Sequence, residues 1–271
     1  MGSETEDSDD EELELAATAD HRDEIVAALL TITSALGLTK DTLHMSVSLL
    51  DRYMQVRSVR VSRLEALSIA CLWIAVKFVE TPLTIAKHGI KQILQRRRLT
   101  SNWTWEEILD VERAVLRALD FRVMTPTVLS LLQRTLYNTN PTNTQVTSEH
   151  PPEQIQLAMY LADLLLLTSR ANDFAKPDLV DAIVFITSGR RLQDVSPSLL
   201  APVVVMFLAH RDNINPTHPD FKAWFALRCQ YGGVLPSQWQ VPFDPACNCR
   251  VCKHAQDDQS SRISPTMSAT V

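Results

Sequence analysis

The chain has 271 residues, 45% of them hydrophobic, which is enough for one large or two ordinary domains with their own cores and excludes disorder throughout. A formal net charge of −6 argues against a general nucleic-acid binder, which carries a basic excess to offset phosphate charge. Only six glycines and few alternating β-branched runs point to an all-α fold, and five cysteines, an odd number, fit a reducing intracellular compartment better than a disulfide framework.

Residues 2–15 carry eight acidic side chains, a block that repels itself and buries nothing, so a solvated tail is expected there. It has no apolar stretch of the kind a secretory signal needs. From about Ala17 to Leu36, the positions Ile25, Ala28, Leu29, Ile32 and Leu36 recur at helical spacing, and Gly37 follows as a stop. Asp41 is the expected cap of a second helix with the stripe Leu43, Val47, Leu50 and Met54, and Ser62 the expected cap of a third. In that third helix eight consecutive apolar residues, Ile69 to Val76, run into Lys77. A membrane span needs about 20 predominantly apolar residues; Arg63, Glu65 and Lys77 cut this run short, so no membrane partner is expected. A weaker helix after Pro82, reaching about Leu94, precedes the basic run Arg96 to Arg98, read as a solvated loop. Thr104 and Glu107 form a capping box for a fifth helix with the face Ile108, Val111, Val115, Leu116 and Leu119.

Pro126 opens a second set of elements, in which Leu43, Met45, Ser46, Val47, Leu49 and Asp51 recur as Ile155, Leu157, Ala158, Met159, Leu161 and Asp163. The same offset lays Ala70, Leu72, Trp73 and Ile74 on Ala182, Val184, Phe185 and Ile186. Two copies of one helical module explain this economically, with 199–208 and 221–229 as the last two helices. The repeat fails where Lys77 falls on Gly189 and, more softly, where Glu112 falls on Trp224. Only the first copy has a charged pair there.

These residues resemble the cyclins. Asp41-Thr-Leu-His-Met-Ser-Val-Ser-Leu-Leu-Asp-Arg-Tyr53 is similar to the second helix of a cyclin box, Ile69-Ala-Cys-Leu-Trp-Ile-Ala-Val-Lys-Phe-Val-Glu80 to its third, and Leu109-Asp-Val-Glu-Arg-Ala-Val-Leu-Arg-Ala-Leu-Asp-Phe121 to its fifth. The resemblance implies two tandem five-helix cyclin folds, an N-terminal box over 17–125 and a more weakly matched fold over 126–232. Flexible tails would flank them at 1–16 and 233–271. It implies a regulatory subunit that binds and activates a cyclin-dependent kinase in nucleus or cytoplasm, controlling cell-cycle progression or transcription, with no catalytic residue of its own and no homo-oligomer expected. By the same resemblance Lys77 and Glu112 form a pair that hydrogen-bonds kinase backbone, Ile74, Phe78 and Phe121 are apolar kinase contacts, and Arg22 and Asp51 form an internal ion pair. Ordinary core is the competing reading for Phe78 and Phe121, and a bare surface ion pair for Lys77 and Glu112. Asp23, Glu24 and Ala28 replace the apolar residues and tryptophan of the family's substrate-docking groove, so an Arg-x-Leu peptide is expected to bind weakly. Other readings of the same fold are a transcription-factor-type protein that binds DNA or polymerase, and a cyclin that binds a kinase without activating it.

No phosphate loop, nucleophile elbow or His-Glu-x-x-His occurs, so no enzyme and no cofactor are expected. One metal candidate stands apart: Cys247, Cys249, Cys252 and His254 offer three thiols and an imidazole to zinc. Their spacing is tighter than in a common zinc knuckle, so a tail with free thiols is the alternative.

Overall fold

The computed structural model describes residues 15–81, 87–92, 103–137, 150–188 and 195–214, and the regular elements among them are helices. Helix α1 (Ala19–Ala35) starts where the Thr18 N–H donates to Nδ1 of His21 at 3.2 Å. It ends at Gly37, whose φ of +63° suits a residue without a Cβ. There the Leu38 N–H donates to the Thr33 carbonyl and the Gly37 N–H to that of Ser34, closing the two backbone bonds of a Schellman end.

Helix α2 (Lys40–Val56) begins two residues earlier than expected, and Asp41 is not its cap. Thr39 takes that role, its hydroxyl oxygen accepting from the Thr42 N–H at 3.3 Å. The competing anchor is Glu80, at the far end of α3 (Val61–Val79): its Oε1 accepts from the Thr39 N–H (2.7 Å), the Thr39 hydroxyl (2.9 Å) and the Thr42 hydroxyl (2.6 Å). Partial desolvation opposes its charge, yet these donors hold the Glu80 carboxyl below the usual range.

Ser62 does not cap α3 either. Arg60 is the N-cap and makes no side-chain cap bond, because the chain before α1 supplies the partner. The Val61 N–H donates to the Leu15 carbonyl (3.0 Å) and the Ala17 N–H to that of Val59 (2.7 Å), around an isolated antiparallel bridge between Ala16 and Arg60. Leu15 and Ala16, which the sequence places in the acidic tail, are therefore pinned to the start of α3; residues 1–14 lie outside the described residues.

From Leu64 to Val76, α3 is buried on almost every side, and it packs most extensively against α2, then α4 (Trp105–Ala118), then α1. Its small residues Ala66, Ser68, Ala70 and Ala75 let those helices approach, while Leu67, Leu72 and Ile74 fill the gaps. Each such Leu or Ile contributes roughly 1.5–3 kcal/mol by its burial. The expected box caps α4: the Thr104 N–H donates to Glu107 at 2.7 Å, and the Glu107 N–H returns to the Thr104 hydroxyl at 3.2 Å. Ile108, Val115 and Leu119 are buried as expected, Val111 and Leu116 half-buried. Residues 87–92 are helical too, within the weaker helix expected after Pro82.

A second group of helices surrounds another buried rod. Helix α7 (Lys176–Thr187) packs against α5 (Val128–Leu136), α6 (Pro152–Leu166) and α8 (Pro197–Ile214). Helix α8 extends beyond the expected 199–208 at both ends; the helix expected over 221–229 lies outside the described residues. A 3-10 turn, Ser169–Asp173, touches α1, and α2 touches α5 and α6, so the two groups share a contact surface. Among the described residues no helix is long and apolar enough to cross a membrane.

Candidate functional site

Lys77 sits in the last turn of α3, where the neighbouring α4 presents Glu112, and the Lys77 ammonium donates to Glu112 Oε1. The two ends differ. The Glu112 side chain is 9% exposed and that of Lys77 32%, so the pair emerges from the core with its cation outward. The Lys77 ammonium also lies 5.6 Å from the centroid of Trp73, which meets Trp105 edge-on at 5.2 Å. Lys87 and Lys91 lie over the Trp105 ring at 5.8 and 5.0 Å. An aromatic pair carrying three ammonium groups thus borders the Lys77–Glu112 pair, an arrangement sequence reasoning missed because Trp105 lies far from Trp73 in the chain.

Phe78, next to Lys77, is 55% exposed, and Phe121, just beyond α4, is 69% exposed, so neither is core. Phe121 and the preceding Asp120 hold φ near +56° and +49°, where side chains other than glycine are strained, and the Phe121 N–H is tied to the Leu116 carbonyl at 2.8 Å. Exposed aromatic surface on strained backbone is uncommon without a use. Ile74 requires a correction. It is fully buried in the middle of α3 and offers a partner no surface, so it supports this face from beneath.

Arg22 and Asp51 meet as a bidentate pair, Nε to Oδ1 and Nη2 to Oδ2, both 2.8 Å. Arg22 Nη1 further donates to Asp23 (2.9 Å) and to the backbone carbonyl of Leu166 on α6 (2.5 Å). Burial works against the Arg22 charge, but Asp51 and then Asp23 outweigh it and keep the guanidinium protonated. Asp23 does not stand free on the surface of α1: its Oδ2 accepts from the Ser169 N–H and hydroxyl, both at 3.1 Å. Of the two carboxylates expected to spoil a docking groove there, Glu24 alone is exposed without a described bond.

A third cluster went unnoticed in the sequence. Asp163 on α6, nearly fully buried, accepts from Lys40 Nζ at 2.6 Å and pairs with His44 Nε2 at 2.8 Å, both on α2. Burial opposes its charge, yet His44 and Lys40 hold its carboxyl below the usual range. The signal was available, because Asp163 is the repeat counterpart of Asp51. Among the described residues no three His, Cys, Asp or Glu side chains converge as a metal site. Cys247, Cys249, Cys252 and His254 lie outside the described residues, as do Arg96 to Arg98.

Residues 4–124 match the family described as the cyclin N-terminal domain. The chain is similar to Cyclin-A1-2 of Oryza sativa subsp. japonica, 31% identical over 156 residues, which is 57% of this chain and 30% of that protein. It is similar to Cyclin-F of Danio rerio, 28% identical over 166 residues, 60% of this chain and 19% of that one. The matches thus span only a minor part of either relative's own length. In structure, a viral cyclin from Herpesvirus saimiri superposes with a TM-score of 0.50 at 16% identity, covering 82% of this chain and 88% of that one, a likeness of fold alone. The N-terminal part of the chain, residues 4–124, is thus similar to a divergent cyclin box, and the helical fold is of the same kind.

Proposed function

We propose that the protein is a regulatory subunit that binds a cyclin-dependent kinase through the face around Lys77 and Glu112 and activates it. The observation that carries this is the outward-facing pair itself. A lysine that ends a buried helix needs no partner in water, whereas this one is held by a carboxylate from the next helix, ready to share its remaining donors with a backbone carbonyl. Exposed Phe78 and Phe121 supply apolar contact, and the strained turn at Asp120 keeps Phe121 in place. Binding there shifts the kinase toward the state in which its catalytic lysine and glutamate pair, and the regulator contributes no catalytic group. The second helix group, α5 to α8, is read as a second copy of the module, spanning 126–232, and the site of action as the nucleus or cytoplasm.

Affinity purification from dividing cells, identification of any co-purifying kinase, and an activity assay on the complex test the reading. An active complex is the expected result. A complex without activity makes the protein a non-activating binder, and a polymerase or DNA partner without kinase overturns the proposal.

A further inference from the structure

A cleft of about 320 Å³ lies where α2, α5, α6 and α7 meet. Ser48, Arg52 and Gln55 line it from α2, Asn172 from the 3-10 turn and Lys176 from α7, while the Arg22–Asp51 pair faces the same space. Lys77, Glu112, Phe78 and Phe121 are not part of it. Three cationic side chains face one carboxylate, and that carboxylate already spends both oxygens on Arg22. His44, which also faces the cleft, is bound to Asp163. Arg52 thus has no carboxylate bonded to it inside the cleft, and Lys176 has only the through-space attraction of Asp51, whose oxygens are already bonded to Arg22.

Arg52 is under-satisfied in detail. Its Nη1 is shut off from solvent and has no hydrogen-bond acceptor, an omission that calls for an explanation in a folded chain. Desolvation weakens its charge, and so does the neighbouring Arg122. The Lys176 ammonium donates to the Pro126 carbonyl at 2.8 Å and lies 3.4 Å from Ser48 Oγ, which leaves donor capacity over. Its charge is disfavoured first by burial and then by Arg52. Two helices also start at this cleft: Thr127 and Val128 open α5, and Ala175 and Lys176 open α7, which has no side-chain cap. Both ends contribute the positive pole of a helix. Crowded cations, an orphaned guanidinium N–H and two helix N-termini around one space are mutually repulsive until an anion enters.

We propose that this cleft is a phosphate-binding site in which Arg52 and Lys176 hold a phosphate monoester or phosphate ion. The volume exceeds what one oxyanion fills, so a phosphoryl group borne on a serine or threonine side chain fits as well as free phosphate. A guanidinium matches two phosphate oxygens in a bidentate fork, and the ammonium adds a point charge.

The test uses the full chain, monitored by thermal melting and by anisotropy of a labelled phosphoserine peptide. The ligands are inorganic phosphate, that peptide and its unphosphorylated form, in chloride at matched ionic strength. Phosphate raises the melting temperature above the chloride control. Phosphopeptide binding tighter than inorganic phosphate marks a protein-borne group as the source; binding of phosphate without the peptide marks a small-molecule source. Arg52→Gln and Lys176→Gln each weaken the phosphate effect about tenfold. Arg52→Gln in chloride melts at or above wild type, since it removes an unneutralised cation. No difference between phosphate and chloride, or full phosphate affinity in both variants, overturns the proposal; so does a destabilised Arg52→Gln that still binds phosphate, because Arg52 is then a structural residue.

Discussion

Arg22 and Lys77 are both cations that pair with a carboxylate on the next helix, and they are built for opposite purposes. Arg22 is 4% exposed, and every bond it makes points inward: two to Asp51, one to Asp23, one to the Leu166 carbonyl on the other helix group. Lys77 is a third exposed and makes one described ion pair, to a carboxylate that is itself buried. A guanidinium fork saturated by acceptors is a joint. An ammonium held by one acceptor, with spare donors facing outward beside exposed aromatic surface, is poised for a partner that the folded chain lacks.

Asp51→Ala is the strongest way to break that contrast. It strips two of four bonds from a buried guanidinium and is expected to cost about 3–5 kcal/mol, read as a lower denaturant midpoint with the slope unchanged. An unaltered midpoint would show that water replaces the carboxylate and that the joint is no joint.

Replacing Lys77 and Glu112 together by Ala is expected to do the reverse. Stability stays within about 1 kcal/mol of wild type, because an outward-facing pair contributes little, while kinase association weakens by about 2–4 kcal/mol, roughly 30-fold or more. Equal kinase capture by the double variant and wild type would remove the docking assignment. Both residues are changed at once, since removing Lys77 alone strands a buried carboxylate.

Asp163→Asn sharpens the comparison inside the core. The loss of charge-assisted bonds to Lys40 and His44 is expected to cost about 1–3 kcal/mol near neutral pH. The Asp163 carboxyl is held below its ordinary value, so its contribution is fully present above the unfolded value of about 3.9 and is lost as pH falls through the lower folded value. The gap between wild type and Asp163→Asn therefore closes on acidification below about pH 4. Denaturation series at neutral and acid pH measure it, and a gap constant with pH would assign the loss to packing.

The smallest effect is expected for Glu80→Gln, which keeps an acceptor for Thr39 and Thr42 but removes its charge beside the α2 N-terminus. A loss of about 0.5–1 kcal/mol is expected, checked by the thermal midpoint in low and high salt; no difference in low salt would show that Thr39 caps α2 unaided.

Helix periodicity and the internal repeat made the buried faces of α2, α3 and α4 readable, because a stripe at helical spacing has one way to be buried. Two caps were misplaced for a shared reason. Asp41 and Ser62 have the right chemistry, but Thr39, anchored by Glu80 from distant sequence, accepts from the Thr42 N–H, and the Leu15 carbonyl accepts from the Val61 N–H. Local capping rules are blind to such partners. The family resemblance makes Ile74 a contact together with Phe78, one helical turn on, yet that row of α3 turns inward at Ile74 and outward only at its end. Arg22 with Asp51 and Lys77 with Glu112 came from family likeness; Asp23 with Ser169 and Arg22 with Leu166 join segments more than 140 residues apart by bonds that leave no periodic trace.

The hydrogen bond from Arg22 to the Leu166 carbonyl, with Lys40 and His44 on Asp163, also governs how the protein can be dissected. A fragment ending near residue 125 would keep Arg22, Lys40 and His44 but lose the Leu166 carbonyl and the Asp163 carboxylate they bond, and would open the α2 surface that α5 and α6 cover. Its yield and solubility would then report on the missing half rather than on its own sequence. Swapping halves between relatives meets the same obstacle, because a graft must bring a carboxylate opposite Lys40 and a carbonyl opposite Arg22 before either half can settle.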